Sequence, residues 1–461
     1  MLALSHFILF MLLRMLYTFE VADPIRLAAG ARHKGTVTDI QRLSKAVLVV
    51  ERMIAQNSFD DILQDFRYWE DASDEYRCME GSLLPLWKFH HDKSRALLVS
   101  AVCWSPVYHD LFAAAYATVD SRNEDGEGML CFYTLKNPST PERAVVTPSG
   151  ATSLHLHPQY CSLLVAGFAD GSVVVYDVRN PSLPFAISSS LDGKHLLPVT
   201  QVKWIRTHPR EEVCLFSSAL DGRVTQWHLH NNILIHINIL DFKNYELLAK
   251  PLPPPEKITL EGLVTCIAFC PNNEHVILVG VDTGALYQCS ITCSVHTLVR
   301  YSAHTSPVRG LAWNSHHSQI FLSCSVDWTV KVWLQHKMIP LIILDLGAAV
   351  AAAAWSPYSS SVFVAVTDDG RVHVYDLFVR KCKPLCVQTL VQRRRVVSVC
   401  VAFNPFHPII LVGGEKGYLA SLKLSPNLRR THRDAKGSDP QDLQEIEVCK
   451  MERLIATSNK E

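Results

Sequence analysis

The sequence predicts an all-β fold, a closed seven-bladed propeller preceded by a short helical arm. A unit of 42–65 residues recurs through most of the 461-residue chain, and glycine turns fall at a near-constant place inside it. Ahead of the first unit, the spacing of apolar residues changes from a period of 2 to one of 3.6.

Each unit is marked by an apolar or aromatic anchor, at Trp104, Leu156, Trp204, Phe269, Trp313, Trp355 and Phe403. Several anchors lead into a proline, as in WSP (104–106), FCP (269–271) and FNP (403–405), which ends a strand by removing a backbone donor. An apolar run and a turn follow, such as AGFADG (166–171), SSALDG (217–222) and AVTDDG (365–370). In the six units after the first, the distance from anchor to the last turn residue is 14, 15 or 18. Asp-Gly favours tight hairpins because glycine takes positive φ cheaply. Alternating segments after the turns (SVVVYDV, RVTQWHL, TVKVWL, RVHVYDL) complete units built from antiparallel strands alone. LLPLWKF (83–89) has no turn of its own, and YLASLKL (418–424) ends the last unit. The first is therefore expected to supply a strand to the last blade, which closes the ring and leaves only short sheet edges. The least regular stretches are SRNEDGEG (121–128) in the first unit and PLPPPEK (251–257), expected to be a rigid surface loop.

Two units share a further pattern. His304 lies nine residues before Trp313, Ser323 four before Asp327, and Trp333 six after Asp327; His195, Ser217, Asp221 and Trp227 repeat these offsets around Trp204. The set resembles the His-Ser-Asp-Trp tetrad of WD40 repeats, so the propeller is expected to be of that type. A Ser/His/Asp trio also suggests a hydrolase, but its duplication along the chain favours a structural role.

The propeller is assigned to 81–425 and the helical arm to 44–80. In the arm Phe59, Ile62, Leu63, Phe66, Trp69 and Tyr76 make an aromatic stripe at helical spacing, opposite seven carboxylates between residues 58 and 77. Such a stripe fits a partner's groove, and these six residues are the candidate partner contacts. An earlier stretch, 44–57, carries Val47, Val50 and Ile54 at the same spacing. Residues 1–43, an atypical apolar start and a basic linker, are expected to be disordered; the first 19 are too short a run, broken by Arg14, to span a membrane. Residues 426–461 read as a polar tail with a possible short helix bearing Leu443, Ile446, Met451, Leu454 and Ile455 on one side.

Lysine plus arginine and aspartate plus glutamate both number 44, so no net field draws the protein to nucleic acid or an anionic membrane. The 14 cysteines fall mostly in apolar, strand-like runs without metal or redox spacing, as buried reduced thiols do. The sequence lacks phosphate-loop, dinucleotide, zinc-protease and nucleophile-elbow motifs, and neither a catalytic residue, a cofactor site nor a metal site is expected. Arg393–Arg395 reads as a solvated loop between blades.

Residues 51–77, GSLLPLWKF (81–89), SCSVDWTVKVW (323–333), WSPYSSSVFVAVTDDGRVHVYDL (355–377) and HPIILVGGEKGYLASLKLSPNLRR (407–430) together resemble the dynein intermediate chains, most of all the axonemal outer-arm type. The likeness runs from about Lys45 to Arg430. It implies a non-catalytic scaffold of the ciliary or flagellar axoneme, binding a dynein heavy chain, a second intermediate chain and a roadblock-type light chain, with contact to microtubules only indirect. Residues 58–77 would meet the light chain. The family's long N-terminal extension carries sites for other light chains, and the first 44 residues here do not resemble it. A cytoplasmic or intraciliary-transport dynein chain is the alternative within the family; a general WD-repeat adaptor, such as a ubiquitin-ligase substrate receptor, is the alternative outside it.

Overall fold

The computed structural model describes residues 80–118, 126–189, 193–206, 213–230, 232–242, 260–273, 275–291, 297–390, 398–429 and 440–458, with isolated residues between 43 and 54. The chain divides into two compact units, residues 1–65 and 66–461. In the first, the described residues Val47, Val50 and Ile54 are helical. The aromatic stripe (58–77), PLPPPEK (251–257) and Arg393–Arg395 lie outside the described residues, as do the first 42 residues.

The second unit contains seven four-stranded antiparallel sheets. Blades 1 to 6 run through 97–147, 151–187, 199–241, 264–302, 308–345 and 350–389, each a consecutive meander. Blade 7 takes three strands from 398–424 and its fourth from Leu83–Phe89, which pairs with Leu419–Leu424 in the register Leu83↔Leu424 to Phe89↔Leu419. Strands distant in sequence thus share one sheet. The innermost strands of successive blades touch all the way round, with blade 7 against blade 1.

The repeat anchors sit at or near the ends of these innermost strands. Each innermost strand also bears a bulge at one equivalent place, from Val99/Ala101 in blade 1 to Ser398/Cys400 in blade 7. A bulge sharpens the local twist, and one per blade tilts every sheet alike.

The core is seven wedges, one between each pair of neighbouring blades, which explains the unbroken apolar runs in the second strands. In Ile320–Ser325, Ile320, Leu322 and Cys324 face blade 6 while Phe321 faces blade 4. A strand buried on both faces has no polar side to alternate with.

The boundary at residue 425 falls short. Pro426–Arg429 form a 3-10 turn with Asn427, Leu428 and Arg429 buried, and the Asn427 side-chain amide donates to the Glu80 carbonyl at 2.7 Å. Beyond it, the expected short helix is nineteen residues long, α1 (Pro440–Ser458), and it packs on the propeller. Among the described residues no helix is long and apolar enough to cross a membrane.

Candidate functional site

The chemistry-bearing residues gather in two places, the hydrogen-bonded chains inside blades 3 and 5 and the ends of the blades where connections meet. In blade 5, His304 Nδ1 lies 2.9 Å from Asp327, His304 Nε2 lies 2.7 Å from the Ser323 hydroxyl, and the Trp333 indole N–H donates to that hydroxyl at 2.9 Å. In blade 3 the same contacts join His195 to Asp221 (3.1 Å), His195 to Ser217 (2.7 Å) and Trp227 to Ser217 (2.7 Å). An ionised carboxylate can only accept, so Nδ1 carries the proton and Nε2 accepts from serine. Local geometry fixes the histidine. The Gly284 carbonyl accepts from the His304 amide at 2.9 Å, and a Cβ at Gly284, where φ is +84°, would collide with the His304 carbonyl.

Burial alone would raise the Asp221 carboxyl, but hydrogen bonds from His195 and from the Arg223 and Leu196 amides outweigh it and hold it down to about 2. Asp327 is lowered in the same way, by Thr329 and His304 against burial. Burial drives His304 below its ordinary value in spite of Asp327, so its imidazole is neutral at pH 7. These chains have a triad's connectivity without its access. Ser217 and Ser323 are fully buried, and each hydroxyl is already shared between histidine and indole. A nucleophile needs a lone pair open to substrate, so both chains hold strands together.

A second set was not read from the sequence. The residue after the anchor caps the following turn, accepting backbone N–H groups: Ser105 from Val107 and Tyr108, His157 from Gln159 and Tyr160, Asn314 from His316 and His317, Ser356 from Tyr358, and Asn404 from Phe406 and His407. The signal was present, since Ser and Asn before a turn are the usual side-chain mimics of a backbone turn. Two of these caps also join blades, with Asn314 donating to the Ser360 carbonyl at 2.7 Å and Asn404 to the His109 carbonyl at 2.8 Å. Three anchor indoles donate backwards to the preceding blade, Trp104 to Ala402, Trp313 to Ala268 and Trp355 to Ala312. Trp204 departs from this pattern: its indole N–H is buried without an acceptor, while its backbone N–H donates to His155 Nδ1 at 3.2 Å.

The helix α1 sits over the turns of blades 5 and 6. Met451 and Leu454 join the wedge between those blades, with Ile455 packed beside them. Of the five residues expected on its apolar side, Leu443 and Ile446 are half-buried. The same face carries two buried charges. The Glu447 carboxylate accepts from the Ser360 amide (2.7 Å) and hydroxyl (2.6 Å), and the Lys450 ammonium donates to the Ser359 hydroxyl at 2.8 Å. Lys450 lies 3.6 Å from Glu447 and over the Phe378 ring. Among the described residues no group of three or more His, Cys, Asp or Glu side chains is placed to hold a metal ion.

Residues 293–333 match the family model described as WD domain, G-beta repeat. Over 91% of its length the chain is 43% identical to dynein intermediate chain 2, ciliary, of Heliocidaris crassispina, covering 60% of that protein. It is 42% identical over 90% of its length to dynein axonemal intermediate chain 1 of Mus musculus, covering 59% of it. It is 37% identical over 94% of its length to the 78 kDa intermediate chain of the flagellar outer arm of Chlamydomonas reinhardtii, covering 64% of it. The chain thus spans about three fifths of these relatives' length. Identity at this level runs across the propeller and its flanks, so the chain is similar over nine tenths of its length to WD-repeat intermediate chains of axonemal dyneins.

Proposed function

We propose that the protein is a non-catalytic intermediate chain of an axonemal outer-arm dynein, located in the cilium or flagellum, where it joins a heavy chain, a second intermediate chain and a roadblock-type light chain. The observation that carries this reading is the kinship, over about nine tenths of the chain, with proteins named for ciliary dynein and the flagellar outer arm. The geometry supports it. The Ser, His and Asp side chains that resemble catalytic machinery are spent inside blades 3 and 5, which leaves a rigid ring suited to holding other chains. Within this reading, Phe59, Ile62, Leu63, Phe66, Trp69 and Tyr76 form the light-chain contact.

The test is affinity purification of the tagged protein from ciliated cells, with mass spectrometry of what co-purifies. Axonemal heavy chains and a roadblock-type light chain are expected. Cullin adaptors in their place, or cytoplasmic heavy chains, would overturn the assignment. Replacing Phe66 and Trp69 by Ala should remove the light chain alone; a light chain that stays bound would exclude the stripe as its contact.

A further inference from the structure

Strain and exposure coincide at one tryptophan. In blades 3 to 6 a residue just past the outermost strand donates its backbone N–H to the carbonyl that closes the turn between the second and third strands. The pairs are Phe242 to Gly222, His304 to Gly284, Leu346 to Trp328 and Leu390 to Gly370, at 2.8–3.1 Å. The four turns are thus equivalent, and three of them close with glycine. At Gly222 and Gly284 a Cβ would lie only 2.5 and 2.3 Å from the donor residue's own carbonyl oxygen. In blade 5 the same place holds Trp328, left-handed at φ +72° and 53% exposed. Among the described residues no other tryptophan is exposed. The connection beside it is open: Leu346 is followed by Gly347 at φ +73°, where a Cβ would meet nothing within 4 Å. Glycine would relieve the strain at position 328, and burial does not compensate for it. Backbone strain of this kind clusters where it serves recognition, and tryptophan is among the residues that dominate binding at interfaces.

The charges around the ring define what it takes. Asp345 stands opposite Thr329 in the strand pair, is exposed, and has no lysine or arginine partner among the described residues. The neighbouring cations are already engaged. Arg309 lies 3.1 Å from Asp368, and Arg371 3.2 Å from Asp369, both carboxylates standing on the equivalent turn of blade 6. The Lys331 ammonium donates to the Ala303 carbonyl at 2.5 Å, and Asp327 is bonded to His304. An aromatic face beside an uncompensated carboxylate attracts a guanidinium or an ammonium, through cation–π contact on the ring and an ion pair at its side. We propose that Trp328 and Asp345 form a docking point for a basic segment of a partner protein, which lays an arginine or lysine on the indole. Ile343, 56% exposed and two residues before Asp345 on the same face of the strand, adds an apolar step to this contact.

Fluorescence anisotropy of a rhodamine-labelled peptide of arginines alternating with glycines, titrated with the purified full-length chain at low salt, tests this. The wild-type protein should bind it saturably, and the matching glutamate peptide should not bind. Trp328→Gly and Asp345→Asn should each weaken binding about threefold or more. Asp92→Asn, which removes an exposed carboxylate ahead of blade 1, should leave binding unchanged. Trp328→Gly installs the residue that three equivalent turns already use, and circular dichroism melts of each variant separate loss of binding from loss of fold. A wild-type chain that does not bind the arginine peptide would overturn the proposal, as would one that binds the glutamate peptide equally well. Binding weakened by Asp345→Asn but indifferent to Trp328→Gly would overturn the role of the ring, and binding indifferent to both would overturn the site.

Discussion

The Trp333 indole and the Ser323 hydroxyl, ten residues apart in adjacent strands, lie 2.9 Å apart with both side chains buried. The bond ends a chain that starts at Asp327 on the surface turn and passes through His304. Breaking it leaves a polar group stranded where water cannot replace the partner. Trp333→Phe should therefore cost about 1–3 kcal/mol, and Trp333→Ala about 3–5 kcal/mol through the added cavity. Urea unfolding of the three proteins checks this. An unchanged midpoint for Trp333→Phe would mean that the chain of bonds contributes nothing.

In blades 2, 3, 4 and 6 the residue that closes the turn between the second and third strands is a glycine with φ near +80°, at Gly171, Gly222, Gly284 and Gly370; in blade 5 it is Trp328, at φ +72° and 53% exposed. A left-handed conformation costs an L-residue about 1–2 kcal/mol, and glycine's extra freedom in the unfolded chain offsets about 0.5–1 kcal/mol of the relief. Trp328→Gly should thus raise stability, by up to about 1 kcal/mol. A lower thermal midpoint would show that the exposed ring makes contacts worth more than the strain.

His157 caps its turn with Nδ1 as acceptor, and burial lowers its pKa to about 4; His155, accepting from Trp204, is lowered to about 4 by burial and the nearby Lys203. In the unfolded chain both titrate near 6.5. Below that pH the unfolded state takes up protons that the folded state refuses, so stability is full above about 6.5 and falls as pH drops towards about 4. His157→Asn keeps the cap, as Asn314 and Asn404 do in blades 5 and 7, and removes one titrating group. Thermal melts between pH 7 and 4.5 should show a shallower loss for this variant, and parallel curves would contradict the assignment.

The contact between Glu447 and Ser360 holds α1 to blade 6 by two bonds to one carboxylate. Glu447→Ala would strand the Ser360 amide and leave Lys450 without its neighbouring charge, which should loosen the helix and spare the ring. Limited proteolysis should then cut within 440–458 while the remainder stays resistant. Equal resistance in both proteins would show that Met451 and Leu454 suffice to hold it.

The ring was legible in the sequence because its determinants are local and repeated. Anchors, turns and the two four-residue sets recur at fixed offsets, so each unit supports the reading of the next. Leu83–Phe89 could be matched to the last blade because it was a strand without a turn and the last blade lacked a strand. The docked helix was legible only in part. Met451, Leu454 and Ile455 gave a helical stripe, but Glu447 and Lys450 lie on the same buried face, and two charges among so few apolar residues hide its width. Their partners, Ser359 and Ser360, lie far away in the sequence. Nothing local to Trp204 shows that its indole lacks the backward bond that the other three anchor tryptophans make.

The pairing of Leu83 with Leu424 sets an order on biosynthesis. Leu83–Phe89 leaves the ribosome ahead of the other strands of the ring and has no sheet to join until the last blade has emerged, so the nascent ring stays open, with an orphan strand, while the other six blades are made. Long-range pairing of this kind is slow and leaves edges bare to other chains while it waits. A premature stop within residues 398–424 would therefore do more than shorten one blade. It would remove the acceptor for Leu83–Phe89 and expose the flank of blade 1, so that a loss near the carboxyl end is felt first at the amino end of the ring.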